Sequence, residues 1–119
     1  MNEIKTVGIA GCGTMGAGIA LVAARAGFRT LVYDSRGDMI DIARGNAESF
    51  LRRSVERGKL PAEKLAGIMS RWHPASRIDA LAACDIVIEA VFEDLAVKHG
   101  LLAEVDRVCP PHTILASNT

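Results

Sequence analysis

A short apolar run, Val7-Gly8-Ile9-Ala10, leads straight into Gly11-Cys12-Gly13-Thr14-Met15-Gly16. No other feature of the 119-residue sequence restricts its fold as much. An Ala-rich helical segment follows from Ala17 to Ala26, stopped by Gly27, and a second apolar run, Thr30-Leu31-Val32-Tyr33, delivers Asp34. In the spelling G-x-G-x-x-G each glycine has its own mechanical task. Gly11 allows the tight turn off the strand, Gly13 lets the backbone approach a pyrophosphate, and Gly16 lets the helix lie close to the strand. The positive end of the helix, with its outward N–H groups, then suits a diphosphate. Asp34 falls 18 residues after Gly16, where a carboxylate at the end of the second strand accepts hydrogen bonds from ribose hydroxyls. A glycine-punctuated βαβ unit without a ligand is the plain alternative, but strand, glycine turn, helix, strand and acid in this order favour a dinucleotide site. Asp34 further favours NAD over NADP, since a 2′-phosphate would meet it as a like charge. Arg36 is close enough to blur that preference, unless it is simply a solvated surface arginine.

Beyond Asp34, Ser35 to Asp38 turn the chain into a long helical pattern carried by Met39, Ile40, Ala43, Ala47, Phe50, Leu51 and Val55. Gly58 stops it, and Pro61 opens a second helix through Ala62 to about Met69. A helical hairpin thus interrupts the α/β alternation between the second and third strands. Its basic residues (Arg52, Arg53, Arg57, Lys59, Lys64) read as a solvated face or, alternatively, as a contact for a phosphorylated substrate tail. Pro74 confines a third strand, Arg71 to Ser76, to a sheet edge. A helical turn at Asp79 to Ala83, a strand at Asp85 to Val91, a helix at Leu95 to Val108 and a fifth strand at Thr113 to Ser117 complete the pattern. The expected fold is a Rossmann-type doubly wound parallel sheet, for which the usual strand order is 3-2-1-4-5-6. Its carboxyl rim gathers Gly11 to Gly16, Asp34, Ala90 to Glu93 and Ser117 to Thr119.

Fourteen basic side chains balance fourteen acidic ones, so no charge field points to nucleic acid or an anionic membrane. Half the residues are hydrophobic but only 4% aromatic, which suits an aliphatic α/β core. One domain of this length buries roughly two-thirds of its unfolded surface. The longest apolar stretch, Met15 to Ala24, is too short for a bilayer span. The first strand begins so near Met1 that no leader peptide is expected. Cys12, Cys84 and Cys109 form no C-x-x-C pair, and the odd count suits reduced thiols in a cytoplasmic setting. Cys12 is either a reactive thiol beside the phosphate loop or just a small residue.

Three blocks together resemble the 3-hydroxyacyl-CoA dehydrogenases. These are Gly11 to Ala20; Asp85-Ile86-Val87-Ile88-Glu89-Ala90-Val91-Phe92-Glu93 with Lys98; and Ala116-Ser117-Asn118-Thr119. The hairpin ending Gly58-Lys59 resembles them too, and the likeness runs in register along essentially the whole chain. It implies that Gly11, Cys12, Gly13, Thr14, Met15, Gly16, Asp34, Ala90, Val91, Glu93, Lys98 and Asn118 contact NAD, with Glu93 and Lys98 at the nicotinamide end and Lys98 also near the CoA side. It implies that the hairpin lines an acyl-CoA cleft. The implied reaction is reversible oxidation of an L-3-hydroxyacyl-CoA, of the short-chain (3-hydroxybutyryl) kind, in fatty-acid or butanoate metabolism. Cys12 stands where the family usually has a small aliphatic residue and changes little.

Oxidising a hydroxyl-bearing carbon needs a base for the alcohol proton. In the family that histidine and its glutamate follow the fifth strand, ahead of an all-helical domain. His73, His99 and His112 are isolated here and read as surface or capping residues; Glu89 reads as structural or supporting. The expectation is therefore one NAD-binding domain over residues 1–119, inactive alone, with no catalytic residue and no metal site assigned. A stand-alone NAD-binding module and a dehydrogenase of free or carrier-bound 3-hydroxyacids remain the alternatives. The apolar fifth strand, as a sheet edge, is expected to promote self-association, most simply as a homodimer. A hairpin folded over the apolar surface would instead keep the chain monomeric.

Overall fold

Side chains along the first strand alternate between two faces, and that alternation sorts the core into two layers. Val7 and Ile9 point to one side, while Gly8 and Ala10 point to the other. The computed structural model describes residues 3–91 and 95–117. Strands β1 (Thr6–Ala10), β2 (Arg29–Tyr33), β3 (Trp72–Ala75), β4 (Ile86–Glu89) and β5 (Ile114–Ser117) run parallel in one sheet of order β3-β2-β1-β4-β5. Helix α1 (Thr14–Arg25) joins β1 to β2, and the hairpin of α2 (Gly37–Glu56) and α3 (Ala62–Ser70) joins β2 to β3. A 3₁₀ segment (Ile78–Ala83) leads into β4, and α4 (Leu95–Val108) connects β4 to β5. Strand order reverses between β1 and β4, the topological switch point where such sheets bind ligands.

On one face Ala20 and Ala23 of α1 and Ile40 and Ala43 of α2 pack on Val7, Ile9, Val32 and Trp72. On the other, Leu81 and Cys84 beside the 3₁₀ segment and Val105 of α4 cover Ala10, Leu31 and Val87. The second layer is tight: a Cβ on Gly8 would lie 2.7 Å from Cys84 Sγ. A smaller cluster of Ala24, Leu51, Leu60 and Ile68 closes the hairpin against α1. Asp85 anchors the start of the sheet, accepting hydrogen bonds from the amides of Lys5 (2.8 Å) and Thr6 (2.9 Å). Those two donors hold its carboxyl below the ordinary carboxylate range.

Pro74 sits on the edge strand, as its missing N–H requires. Helix α1 begins at Thr14 rather than Ala17, because Gly13 already accepts the first helical bond, from Ala17 N–H (2.8 Å). Strand β4 ends at Glu89, short of the expected Val91, although Ala90 N–H still reaches Ala10 O (2.9 Å). On α2 the expected stripe buries Ile40, Ala43, Ala47 and Leu51, whereas Phe50 falls on its flank and stays 44% exposed. No described helix is long and apolar enough to cross a membrane.

Gly58 terminates α2 with φ +71°, its own N–H bonded to Val55 O and that of Lys59 to Ser54 O, the Schellman arrangement. Gly45 lies inside the same helix, and an added Cβ there would meet nothing. One substitution should therefore have opposite signs at the two sites. Gly58→Ala should destabilise the fold by about 1 kcal/mol. Gly45→Ala should stabilise it by about 0.5–1 kcal/mol. Denaturant melts of both variants check this, and equal signs would contradict it.

Candidate functional site

The loop between β1 and α1 is clamped from both sides. Gly11, at φ +102°, donates its N–H to Tyr33 O (2.8 Å), tying the end of β1 to the end of β2. A Cβ on Gly11 would come within 2.8 Å of Val91 Cγ1 and 3.0 Å of Val91 N. A Cβ on Gly16 would run into the Gly11 carbonyl oxygen. Gly13 differs, since a Cβ there would enter open space. The loop is thus closed where it packs and open where a pyrophosphate would lie. Helix α1 starts at that open point with no acid in its first turn, so nothing on the helix competes with an anion at its positive end. Thr14 and Met15 are exposed there.

Asp34 holds the loop from the end of β2. Its Oδ2 accepts from Cys12 N–H (3.0 Å) and its Oδ1 from Arg36 N–H (2.9 Å). A carboxylate offers about four acceptor positions, so capacity remains for a ribose diol. The Arg36 guanidinium turns away to Asp38 (3.0 Å), with both side chains largely in solvent. It is therefore paired with Asp38 rather than with Asp34. Cys12 is a packing residue rather than a reactive one. It is 2% exposed, and burial first, then Asp34, pushes its thiol up to about 12.

A cleft of about 230 Å³ opens between the end of β2 and α4. Gly11, Asp34 and Val91 line it, as expected of site residues, together with Tyr33, Ser35, Ala96, Val97, Gly100, Leu101 and Glu104. The sequence reading missed the second group. Its one available signal was Gly100, a glycine inside an otherwise regular helical pattern.

Behind the cleft lies a buried polar network. Glu89, 1% exposed, accepts hydrogen bonds from Val91 N–H (2.7 Å) and Ser117 Oγ (2.7 Å). Lys98 Nζ lies 3.8 Å from the same carboxylate. Lys98, expected to be solvated unless it met a ligand, is 6% exposed because its position on α4 faces the sheet. The network joins β4, α4 and β5. Ala90 is buried where the β4 ladder ends. Glu93 and Asn118 lie outside the described residues. His99 and His112 are exposed and His73 is half-buried on β3.

A switch-point sheet, a glycine loop at a helix start and a carboxylate at the end of β2 together define a dinucleotide-binding domain. The family described as "3-hydroxyacyl-CoA dehydrogenase, NAD binding domain" matches residues 6–119. The chain belongs to that family, whose cofactor is NAD. It is 45% identical over 119 residues to the 3-hydroxyadipyl-CoA dehydrogenase of Escherichia coli K12, covering all of this chain and 25% of that protein. It is 42% identical to the fatty acid oxidation complex subunit alpha of Idiomarina loihiensis, covering 99% of this chain and 16% of that one. The crystal structure of (S)-3-hydroxybutyryl-CoA dehydrogenase from Ralstonia eutropha superimposes with a TM-score of 0.95 at 35% identity, over 98% of this chain and 41% of that chain. The chain therefore spans well under half the length of these relatives.

Removing one partner of a buried pair leaves the other charge uncompensated. Glu89→Gln should cost about 3 kcal/mol of stability by that argument, measured by urea unfolding. A cost below about 0.5 kcal/mol, the size of a surface substitution, would mean that the network does not hold the rim together.

Proposed function

We propose that residues 1–119 form the cofactor half of an NAD-dependent L-3-hydroxyacyl-CoA dehydrogenase of cytoplasmic location acting on a short acyl chain. The observation that carries this reading is the coincidence, on one rim, of an open Gly13 and a carboxylate with spare acceptor capacity at Asp34. The printed names of the relatives support the acyl-CoA substrate and the short chain.

Each residue then has a defined task. The Gly11 to Gly16 backbone and the start of α1 bind the pyrophosphate, with Cys12 and Met15 shaping the loop. Asp34 binds the adenosine ribose and rejects a 2′-phosphate. Ala90 and Val91 wall the crevice at the switch point. Glu89 holds Lys98 and Ser117 on the β4–β5 side, which by topology faces the nicotinamide half. Glu93, Lys98 and Asn118 are assigned to that half by resemblance. Bound NAD supplies the hydride acceptor. The base for the substrate hydroxyl is assigned to the part of the relatives that this chain does not span.

Titration of the 119-residue polypeptide with NAD tests the assignment. Asp34→Ala should weaken NAD binding by about 1.5–3 kcal/mol, as for hydrogen bonds to a charged group, and narrow the gap to NADP. The same sample given 3-hydroxybutyryl-CoA and NAD should form no NADH. An unchanged affinity removes Asp34 from the site, and steady NADH formation refutes the division between the two domains.

Self-association is proposed as well. Among the described residues β5 pairs on one side only, and its Ile114 is 52% exposed, the character of an edge that accepts a second strand. Sedimentation at micromolar concentration should show a dimer, and a clean monomer refutes it.

A further inference from the structure

The cleft beside Asp34 contains a second carboxylate. Glu104 lies two turns along α4 from Val97, on the helix face that also presents Gly100 and Leu101 to the cleft. Tyr33 stands within electrostatic reach of both acids. Its phenol is pushed above its ordinary value by burial, then by Glu104, then by Asp34. Among the described residues no Lys, Arg or His lines the cleft. Such a cleft disfavours an anion, and its two carboxylates, which only accept, suit an uncharged or cationic group that brings hydrogen-bond donors.

Gly100 adds an independent observation. A glycine inside a helix costs roughly 1 kcal/mol relative to alanine, yet a Cβ at Gly100 would meet no atom within 4 Å. Packing does not require the glycine, and it leaves the cleft wall without a side chain between Val97 and Leu101. In the dinucleotide reading, the uncharged, donor-bearing group next to the ribose held by Asp34 is the adenine base. Adenine presents such a donor at its 6-amino group, where hypoxanthine presents a carbonyl oxygen.

We propose that Glu104 is a specificity-determining residue that accepts a hydrogen bond from the exocyclic 6-amino group of the dinucleotide's adenine ring. The inference rests on the NAD-binding reading above. It adds a second carboxylate to the adenosine half, one reading the base where Asp34 reads the ribose. Nicotinamide hypoxanthine dinucleotide, which has an oxygen in place of the amine, is the probe. Wild-type protein should bind NAD about tenfold more tightly than this analogue, the low end for a hydrogen bond to an exposed charged group.

Glu104→Ala should bring the two affinities within about twofold of each other, mainly by weakening NAD. Glu104 is exposed, so the variant should melt with the wild type, which separates recognition from folding. Gly100→Ala should raise the melting temperature while weakening NAD, since its methyl group enters the slot. If the preference for NAD survives in Glu104→Ala, the inference fails. It also fails if the variant keeps its NAD affinity and only gains NADP, because Glu104 would then act as a remote charge. Equal binding of both dinucleotides by wild-type protein overturns this inference alone; binding of neither overturns the cofactor reading with it.

Discussion

The rim depends on a contact in which no side chain takes part. Gly16 of α1 rests against the carbonyl of Gly11, at a separation that no Cβ would permit. That approach sets how deeply the helix sits over the first strand, and so where its positive end points. With α1 seated, Gly11 is pinned from the other side by Val91 and tied through its amide to Tyr33. Asp34 then reaches back to Cys12 N–H. Four chain segments, the ends of β1, β2 and β4 and the start of α1, are thereby fixed relative to one another by backbone contacts and one carboxylate. A side chain at Gly11 or Gly16 would move all four, whereas one at Gly13 would leave them in place and fill only the space above the loop.

Asp34 serves the fold and the site together. In the protein alone it caps the loop and its own turn, using one acceptor position on each oxygen. This holds the carboxylate in place in the protein alone, and pre-organisation of that kind would lower the cost of the ribose contact proposed for it. Arg36, two residues from Asp34, is paired instead with Asp38. The Glu89 network has a different character. Buried ion pairs contribute little net stability, because desolvation offsets their attraction. A carboxylate, an ammonium and a hydroxyl gathered at the carboxyl end of the sheet are therefore poorly explained as reinforcement. They are better explained by the need to hold the chain leaving β4 and β5 in one arrangement beside the crevice.

The frame of the fold was legible in the sequence because period and punctuation agreed there. Val7 to Ala10, Gly27, Gly58 and Pro74 each announce a strand, a stop or an edge by rules that act over a few residues. The resemblance then located the family, since its blocks lie in register with the elements. What stayed hidden was decided by distant packing. Helical spacing placed Lys98 on a helix but could not say that its face turns toward a buried glutamate on β4. Phe50 counted toward the apolar stripe of α2, yet the hairpin buries only the centre of that stripe. Position in a phosphate loop left Cys12 open as a reactive thiol or a small residue, and its burial beside a carboxylate favours the second. Glu104 gave no signal, because an acid on a helix usually faces solvent and only the fold sets it beside Tyr33 and Asp34.

The two ends of the crevice therefore differ in how they are held. On the β2 side, Asp34 sits at a strand end and is held in place by backbone hydrogen bonds. That suits a cofactor portion whose shape never changes during reaction. On the β4–β5 side, position depends on one buried polar network whose members lie on three separate elements. Glu89 is the member they share, so a disturbance there is felt on all three elements. A reaction centre completed by residues from elsewhere in a longer enzyme would be sensitive at that end and indifferent at the other. Changes near Asp34 should then alter which dinucleotide binds, and changes near Glu89 should alter how well the bound one is placed for chemistry.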